Sequence, residues 1–272
     1  MAEEARASQP QSTGEESPDG SPTKAFIPLE NNPEVMTTLV HSLGLSPRLA
    51  FHDVFSIDDP DLLAFVPRPA YALLLVFPCS ETYERFRREE DAEREAYDGS
   101  GPGEPVVWYK QTIKNACGLI GLLHGVSNGE AADFIRMRLT YTHTEPSTDL
   151  SQLLASAVPL RPTERADLLY NSPSLESAHQ SAAVLGDTAA PAADEKVDLH
   201  YVCFVKSKAD GHLWELDGRR KGPLDRGALG PEDDVLGEKA LEMGVRGFLR
   251  REEEGGGGEL RFSLIVLSPS LE

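Results

Sequence analysis

Basic residues are scarce in this chain: 26 Lys and Arg stand against 45 Asp and Glu, a net charge of −19 at pH 7. A surface of that sign repels a phosphate backbone, so no nucleic-acid partner is expected and a basic protein surface is favoured. Long apolar runs are also missing. The longest, around Ala70 to Cys79 and Leu260 to Leu267, fall well short of the ~18–20 residues that cross a bilayer, so no membrane partner is expected. The N-terminus is acidic and polar where a secretory signal has a basic start and an apolar run, which predicts an intracellular protein, cytoplasmic first and nuclear second. Cysteine is limited to Cys79, Cys117 and Cys203, an odd and widely spaced set. It suits neither a disulfide framework nor a paired CxxC zinc site, so three free thiols are expected. No internal repeat is visible.

The 272 residues allow one large domain or two small ones. Met1 to Lys24 is mostly Ser, Pro, Gly and Glu, with Met1 its only bulky apolar residue. Such a segment cannot bury enough surface to offset its ordering entropy, and 1–24 is predicted to be a disordered acidic tail before a domain over 25–272. Asn32 and Pro33 form a cap and first-turn pair, and Val35, Met36, Leu39, Val40 and Leu43 share a helical face that stops at Gly44. A short helix is expected after Pro60, a doubly buried strand over Ala70 to Phe77, and a charged helix over Thr82 to Ala96 capped by Ser80. Val106 to Lys110 reads as a strand, and Asn115 to Val126 as a buried helix closely packed at Gly118, Gly121 and Gly125. Leu150 to Val158 and Pro162 to Tyr170 read as helices, and Asn171 to Lys196, poor in large apolar residues, as a long mobile loop. Val197 to Val205 and His212 to Asp217 form a predicted hairpin turning at Ala209 to Gly211. A helical period over Pro231 to Arg250, a flexible tract at Gly255 to Gly258 and a strand over Leu260 to Leu267 complete a mixed α and β layer pattern.

Cys117 is the strongest candidate for chemistry, because it sits near a predicted helix start where free N–H groups and the macrodipole favour a thiolate. The ordinary alternative is a small buried hydrophobe, which suits Cys79 and Cys203 better. A cysteine nucleophile needs a His base and a group that orients it. His124, seven residues on, lies about 10 Å along the helix from Cys117 and is expected to be structural. His200 lies in the first strand of the hairpin, whose return brings Asp217 within reach of its ring. That pair would fix the tautomer, although a satisfied strand histidine and a turn aspartate are each commoner taken singly. Gln111 could donate to the oxyanion that develops when a thiolate attacks a carbonyl. Together Gln, Cys, His and Asp fit acyl transfer through a thioester.

Three segments carry a family resemblance: Gln111 to Gly118 (QTIKNACG), Val197 to His200 (VDLH) and Glu215 to Arg219 (ELDGR). With Ile27 to Glu30, Asn32 to Met36, Val66 to Pro69 and Asp194 to Lys196, they resemble, in order over roughly Phe26 to Leu267, the small single-domain ubiquitin C-terminal hydrolases. The resemblance implies an α+β fold, a papain-like central antiparallel β-sheet flanked by helices with a knotted backbone. It implies Cys117 as nucleophile, His200 as general base and acid, Asp217 as its orienter and Gln111 as oxyanion donor. The implied reaction is hydrolysis after the C-terminal glycine of ubiquitin, with no metal or organic cofactor required. It also makes the 171–196 segment a loop over the active site that admits small or flexible adducts.

Ubiquitin is the implied partner, and the basic end of its tail matches a domain that keeps about −16 of charge once the tail's five acids and two bases are removed. By resemblance Pro28 and Leu29 touch ubiquitin, and the strand edge at Asp198 and Leu199 pairs with its extended tail. Pro28 and Leu29 could instead seal the core. A monomer is expected. Two other functions fit the same residues: a ubiquitin-binding protein with little turnover, and a hydrolase of a ubiquitin-like modifier.

Overall fold

The computed structural model describes residues 24–135, 148–193, 195, 197–255 and 261–271. The predicted tail up to residue 23 and the glycine tract beyond Gly255 lie outside the described residues. The chain builds one antiparallel sheet in the order β1-β6-β2-β3-β4-β5, from β1 (Leu49–Asp53), β2 (Ala72–Pro78), β3 (Leu199–Lys206), β4 (His212–Leu216), β5 (Leu224–Ala228) and β6 (Ser263–Pro269). β2 sits at its centre because its run ALLLVF can be buried on both faces. Ala72, Leu74 and Val76 face one apolar cluster while Leu73, Leu75 and Phe77 face the other, the period of two expected of a strand.

On the first face lie α1 (Pro33–Leu43) and α4 (Cys117–Ser127). α1 is as predicted: the Asn32 side chain accepts from the N–H groups of Glu34 and Val35, and Gly44 closes the helix at φ 117°. α4 starts at Cys117 because Asn115 has φ 59°, outside helical space. Its close approach to the sheet is tightest at Gly125, where a Cβ would come 3.0 Å from the Ala72 Cβ. α2 (Pro60–Leu63), α5 (Asp149–Ala157) and α6 (Pro162–Tyr170) form where expected. The second face is covered by α3 (Glu81–Ala92), capped by Ser80, and beyond it by two short helices near the C-terminus.

Four expectations are corrected. The predicted loop over 171–196 contains α7 (Pro173–Ala183), with Ser172 as cap and Pro173 opening the first turn. Leu175, His179, Ala182 and Ala183 bury one side of it, so small residues suffice where the neighbouring helix comes close. Val106 to Lys110 is extended but joins no ladder. Side chains replace a partner strand: the Asn128 amide bonds both N–H and C=O of Val107, and His124 Nε2 accepts from Tyr109 N–H at 2.9 Å. The 231–250 helix is two helices, α8 (Glu238–Met243) and α9 (Val245–Glu254), broken at Gly244. The charged helix ends at Ala92 rather than Ala96.

Candidate active site

Three elements converge at one end of the sheet. Cys117 opens α4 and is half-buried, and its sulfur lies 3.9 Å from the Leu199 carbonyl oxygen at the start of β3. His200, next in β3, is buried and pairs across the ladder with Phe77 of β2. Its Nε2 lies 2.7 Å from Oδ1 of Asp217, the residue that follows β4. An ionised carboxylate only accepts, so Nε2 donates and the other ring nitrogen is left for a second partner. The Cys117 sulfur lies near enough to the ring to raise its affinity for a proton. Asp217 is fully buried, and besides His200 it accepts from Arg219 N–H at 2.8 Å and from the Tyr83 hydroxyl at 2.5 Å.

Burial works against charge on His200, but the Asp217 carboxylate, aided by the Cys117 sulfur, overcomes it and raises the ring to about 9. Burial likewise opposes charge on Asp217, which His200, Tyr83 and the Arg219 N–H together hold well below the usual carboxylate range. The site therefore favours an imidazolium paired with the Asp217 carboxylate and next to the Cys117 sulfur. The other thiols lack such support. Burial pushes Cys79 up despite Arg219 Nη1 at 3.2 Å, and it raises Cys203 further. His124 is lowered by burial to about 3, a neutral acceptor for the Tyr109 N–H.

Gln111 is brought in through its backbone, whose N–H donates to the Gly218 carbonyl at 2.9 Å, directly after Asp217. One side-chain N–H donates to Ile113 O at 3.2 Å, which leaves the second amide hydrogen for a ligand. Gly218 permits this approach: a Cβ there would come 2.9 Å from Ile120 Cγ2 and 3.0 Å from Gln111 Cβ. Gly218→Ala is expected to displace Gln111 and lower turnover about tenfold, with a smaller effect on substrate affinity. Steady-state kinetics with unchanged kcat would contradict this.

Beside Cys117 lies a cavity of about 210 Å³ lined by Pro28, Leu29, Asn31, Asn115, Leu199 and Tyr201. It suits an extended segment of small residues better than a folded surface. Of the four expected contact residues, Pro28, Leu29 and Leu199 meet around it. Leu29 does two things at once, sealing the core against Gly118 while its carbonyl accepts from the Tyr201 hydroxyl. Asp198 stands outside the lining, and its carbonyl already accepts from Cys79 N–H at 2.6 Å. Thr188, Ala190, Pro191 and Val197, between α7 and β3, also line the cavity, and described residues of this stretch are tied at two places. Glu30 accepts from the Thr188 N–H and hydroxyl, at 3.0 and 2.6 Å, bonds that hold its carboxyl below the usual range. Asn115, two residues before Cys117, donates to the Ala193 and Glu195 carbonyls. Sequence reasoning missed Glu30, Asn115 and Tyr83 as site supports, because their partners are distant in sequence; the positive φ of Asn115 has a weak signal in the tolerance of Asn for that region. Among the described residues no group of three His, Cys, Asp or Glu is placed to hold a metal ion.

Residues 26–248 match the family model described as ubiquitin carboxyl-terminal hydrolase, family 1. The chain is 35% identical to ubiquitin carboxyl-terminal hydrolase 3 of Arabidopsis thaliana, across 92% of this chain and 97% of the relative. It is 36% identical to the rat ubiquitin carboxyl-terminal hydrolase isozyme L1, across 88% and 96%. Among solved structures, the UCH37 catalytic domain of Trichinella spiralis, bound to ubiquitin vinyl methyl ester, shares the fold with a TM-score of 0.64 at 20% identity, covering 90% of this chain and 95% of that one.

Proposed function

The chain belongs to the ubiquitin carboxyl-terminal hydrolase family, and from that premise we propose that it cleaves the bond after the C-terminal glycine of ubiquitin by thiol chemistry at Cys117. The observation that carries this reading is His200 held between the Cys117 sulfur and the Asp217 carboxylate. The Cys117 thiolate adds to the glycine carbonyl carbon, and the free amide hydrogen of Gln111 meets the oxyanion. As the tetrahedral centre collapses, the imidazolium of His200 gives its proton to the leaving amine and the carbon–nitrogen bond breaks. Water then adds to the thioester, losing a proton to the now neutral His200, and the thiolate leaves. Asp217 keeps the ring in one tautomer throughout.

The acidic surface steers the basic tail of ubiquitin, so association slows as salt is added. Pro28, Leu29 and Leu199 receive the last residues of that tail, with Asp198 at the outer rim. The segment fastened by Glu30 and Asn115 leaves room for a thin or flexible leaving group and blocks a folded one. The protein acts as a monomer.

The test is reaction with a ubiquitin derivative bearing a C-terminal electrophile. The wild type and Cys79→Ala are expected to form a covalent adduct and Cys117→Ala none. An adduct surviving in Cys117→Ala would overturn the nucleophile. A wild type inert to this probe but labelled by the equivalent derivative of a ubiquitin-like modifier would move the substrate to that modifier.

A further inference from the structure

We infer that Tyr83 is a positioning residue for this reaction: its buried hydroxyl fixes the plane of the Asp217 carboxylate and so aims His200 at Cys117. The inference rests on the mechanism proposed above. Asp217 is held from three directions, and the two oxygens are not served equally. Oδ1 takes His200 Nε2 and the Arg219 N–H, while Oδ2 has the Tyr83 hydroxyl as its one hydrogen-bond partner among the described residues. Without that bond the carboxylate is free to rotate about its Cβ–Cγ bond, and Oδ1 would carry the imidazole with it.

Tyr83 is itself built in rather than draped on. Ser80 caps α3, accepting from Tyr83 N–H at 2.9 Å, and its own hydroxyl donates to the buried Glu252 of α9 at 2.7 Å. The Tyr83 ring meets Phe77 edge-on at 4.7 Å and also touches Phe248 of α9. His200 shares the parity of Val202 and Phe204 in β3, so it leans toward this same face, with its ring centre 6.0 Å from that of Tyr83. Burial and the Asp217 charge keep the phenol protonated well above its ordinary range, so it remains a donor wherever the enzyme works.

The electrical consequence has a sign. A donor on Oδ2 draws charge away from Oδ1; removing it leaves Asp217 a stronger partner for the imidazolium. The other ionisable groups facing the pair are Cys117 and the neutral His124 from α4, and Arg219 and Arg220 from the turn after β4; both arginines also face Tyr83, and as guanidiniums held above their ordinary range they keep their charge when its hydroxyl is removed.

Tyr83→Phe keeps the ring packing and deletes the hydroxyl. It is expected to lower kcat about tenfold with KM within about twofold, and to move the His200 ring titration, read by NMR, upward by about half a pH unit. In a double variant with Asp217→Asn, the Tyr83 change is expected to cost nothing further, since it acts through Asp217. A ring titration that stays put, or losses that multiply in the double variant, would overturn the inference. The titration needs no substrate, so it decides the role of Tyr83 even if the wild type were inert toward ubiquitin derivatives, a result that would count against the proposed substrate instead.

Discussion

His200→Gln is expected to lower kcat for a ubiquitin C-terminal fluorogenic derivative by about 10³-fold, while ubiquitin still binds. Glutamine can keep a hydrogen bond to Asp217 but cannot shuttle a proton, so both the expulsion of the amine and the activation of water lose their acid and base. The native pH profile should carry the same signature. With His200 raised to about 9, the ring is protonated at neutral pH, and activity is expected to fall as pH climbs through that value and the leaving amine loses its acid. Stability has a matching component. The folded value lies above the ordinary 6.5, so the His200 contribution is fully present below about pH 6.5 and is lost as pH rises through about 9. Urea unfolding at several pH values should show this loss in the wild type and not in His200→Gln. A variant within tenfold of wild-type kcat would remove His200 from the chemistry.

How far the sequence leads to this site depends on the separation of the partners. His200 and Asp217 are joined by one hairpin whose turn, at Gly211 with φ 72°, is announced by Ala209-Asp210-Gly211, so their meeting follows from strand pairing. Cys117 is legible as a residue at a helix start. Gln111 can be offered as a candidate from its amide and its nearness to Cys117 in sequence, but its place cannot be read there, because the Gly218 contact that sets it depends on tertiary folding. α7 was hidden for another reason: its buried side has one leucine, the rest being two alanines and a histidine bonded to the Ile27 carbonyl, and a count of bulky apolar residues does not register such a face. Its Ser172, Pro173 and Glu176 are nonetheless helix-start signals. The strand expected at Val106 to Lys110 illustrates the converse. Val106, Trp108 and Tyr109 are buried as a core segment would be, but Asn128 and His124 supply the hydrogen bonds that a ladder would have given.

The segment 104–111 depends on Arg165, and here the expected effect is on stability. Arg165→Leu should lower the unfolding free energy by about 3–5 kcal/mol. Arg165 is wholly buried, on α6, and all five of its N–H groups are used. Nε donates to the Ala157 carbonyl at 2.8 Å, Nη1 to Glu104 Oε1 and the Trp108 carbonyl, and Nη2 to Glu104 Oε2 and the Val158 carbonyl. Leucine would fill part of the space but strand a buried Glu104 carboxylate, left with Tyr97 as a donor, and take from the Trp108 carbonyl its Arg165 donor, while the Ala157 and Val158 carbonyls keep the Leu160 and Gly101 N–H groups. Arg165→Lys should recover little, because one ammonium offers three donors from a single point where the fork reaches five acceptors. The loss extends toward the site: the same segment carries Trp108, whose indole N–H donates to the Asp217 carbonyl at 3.1 Å, and then Gln111. Urea melts separate the stranded charge from mere loss of packing. Removing both charges, in Arg165→Leu with Glu104→Leu, should restore much of what the single change costs, since the uncompensated carboxylate is gone. If the double variant were no more stable than the single one, the cost would lie in the lost carbonyl bonds and the packing, and the ion pair would not be what fixes this segment of the site.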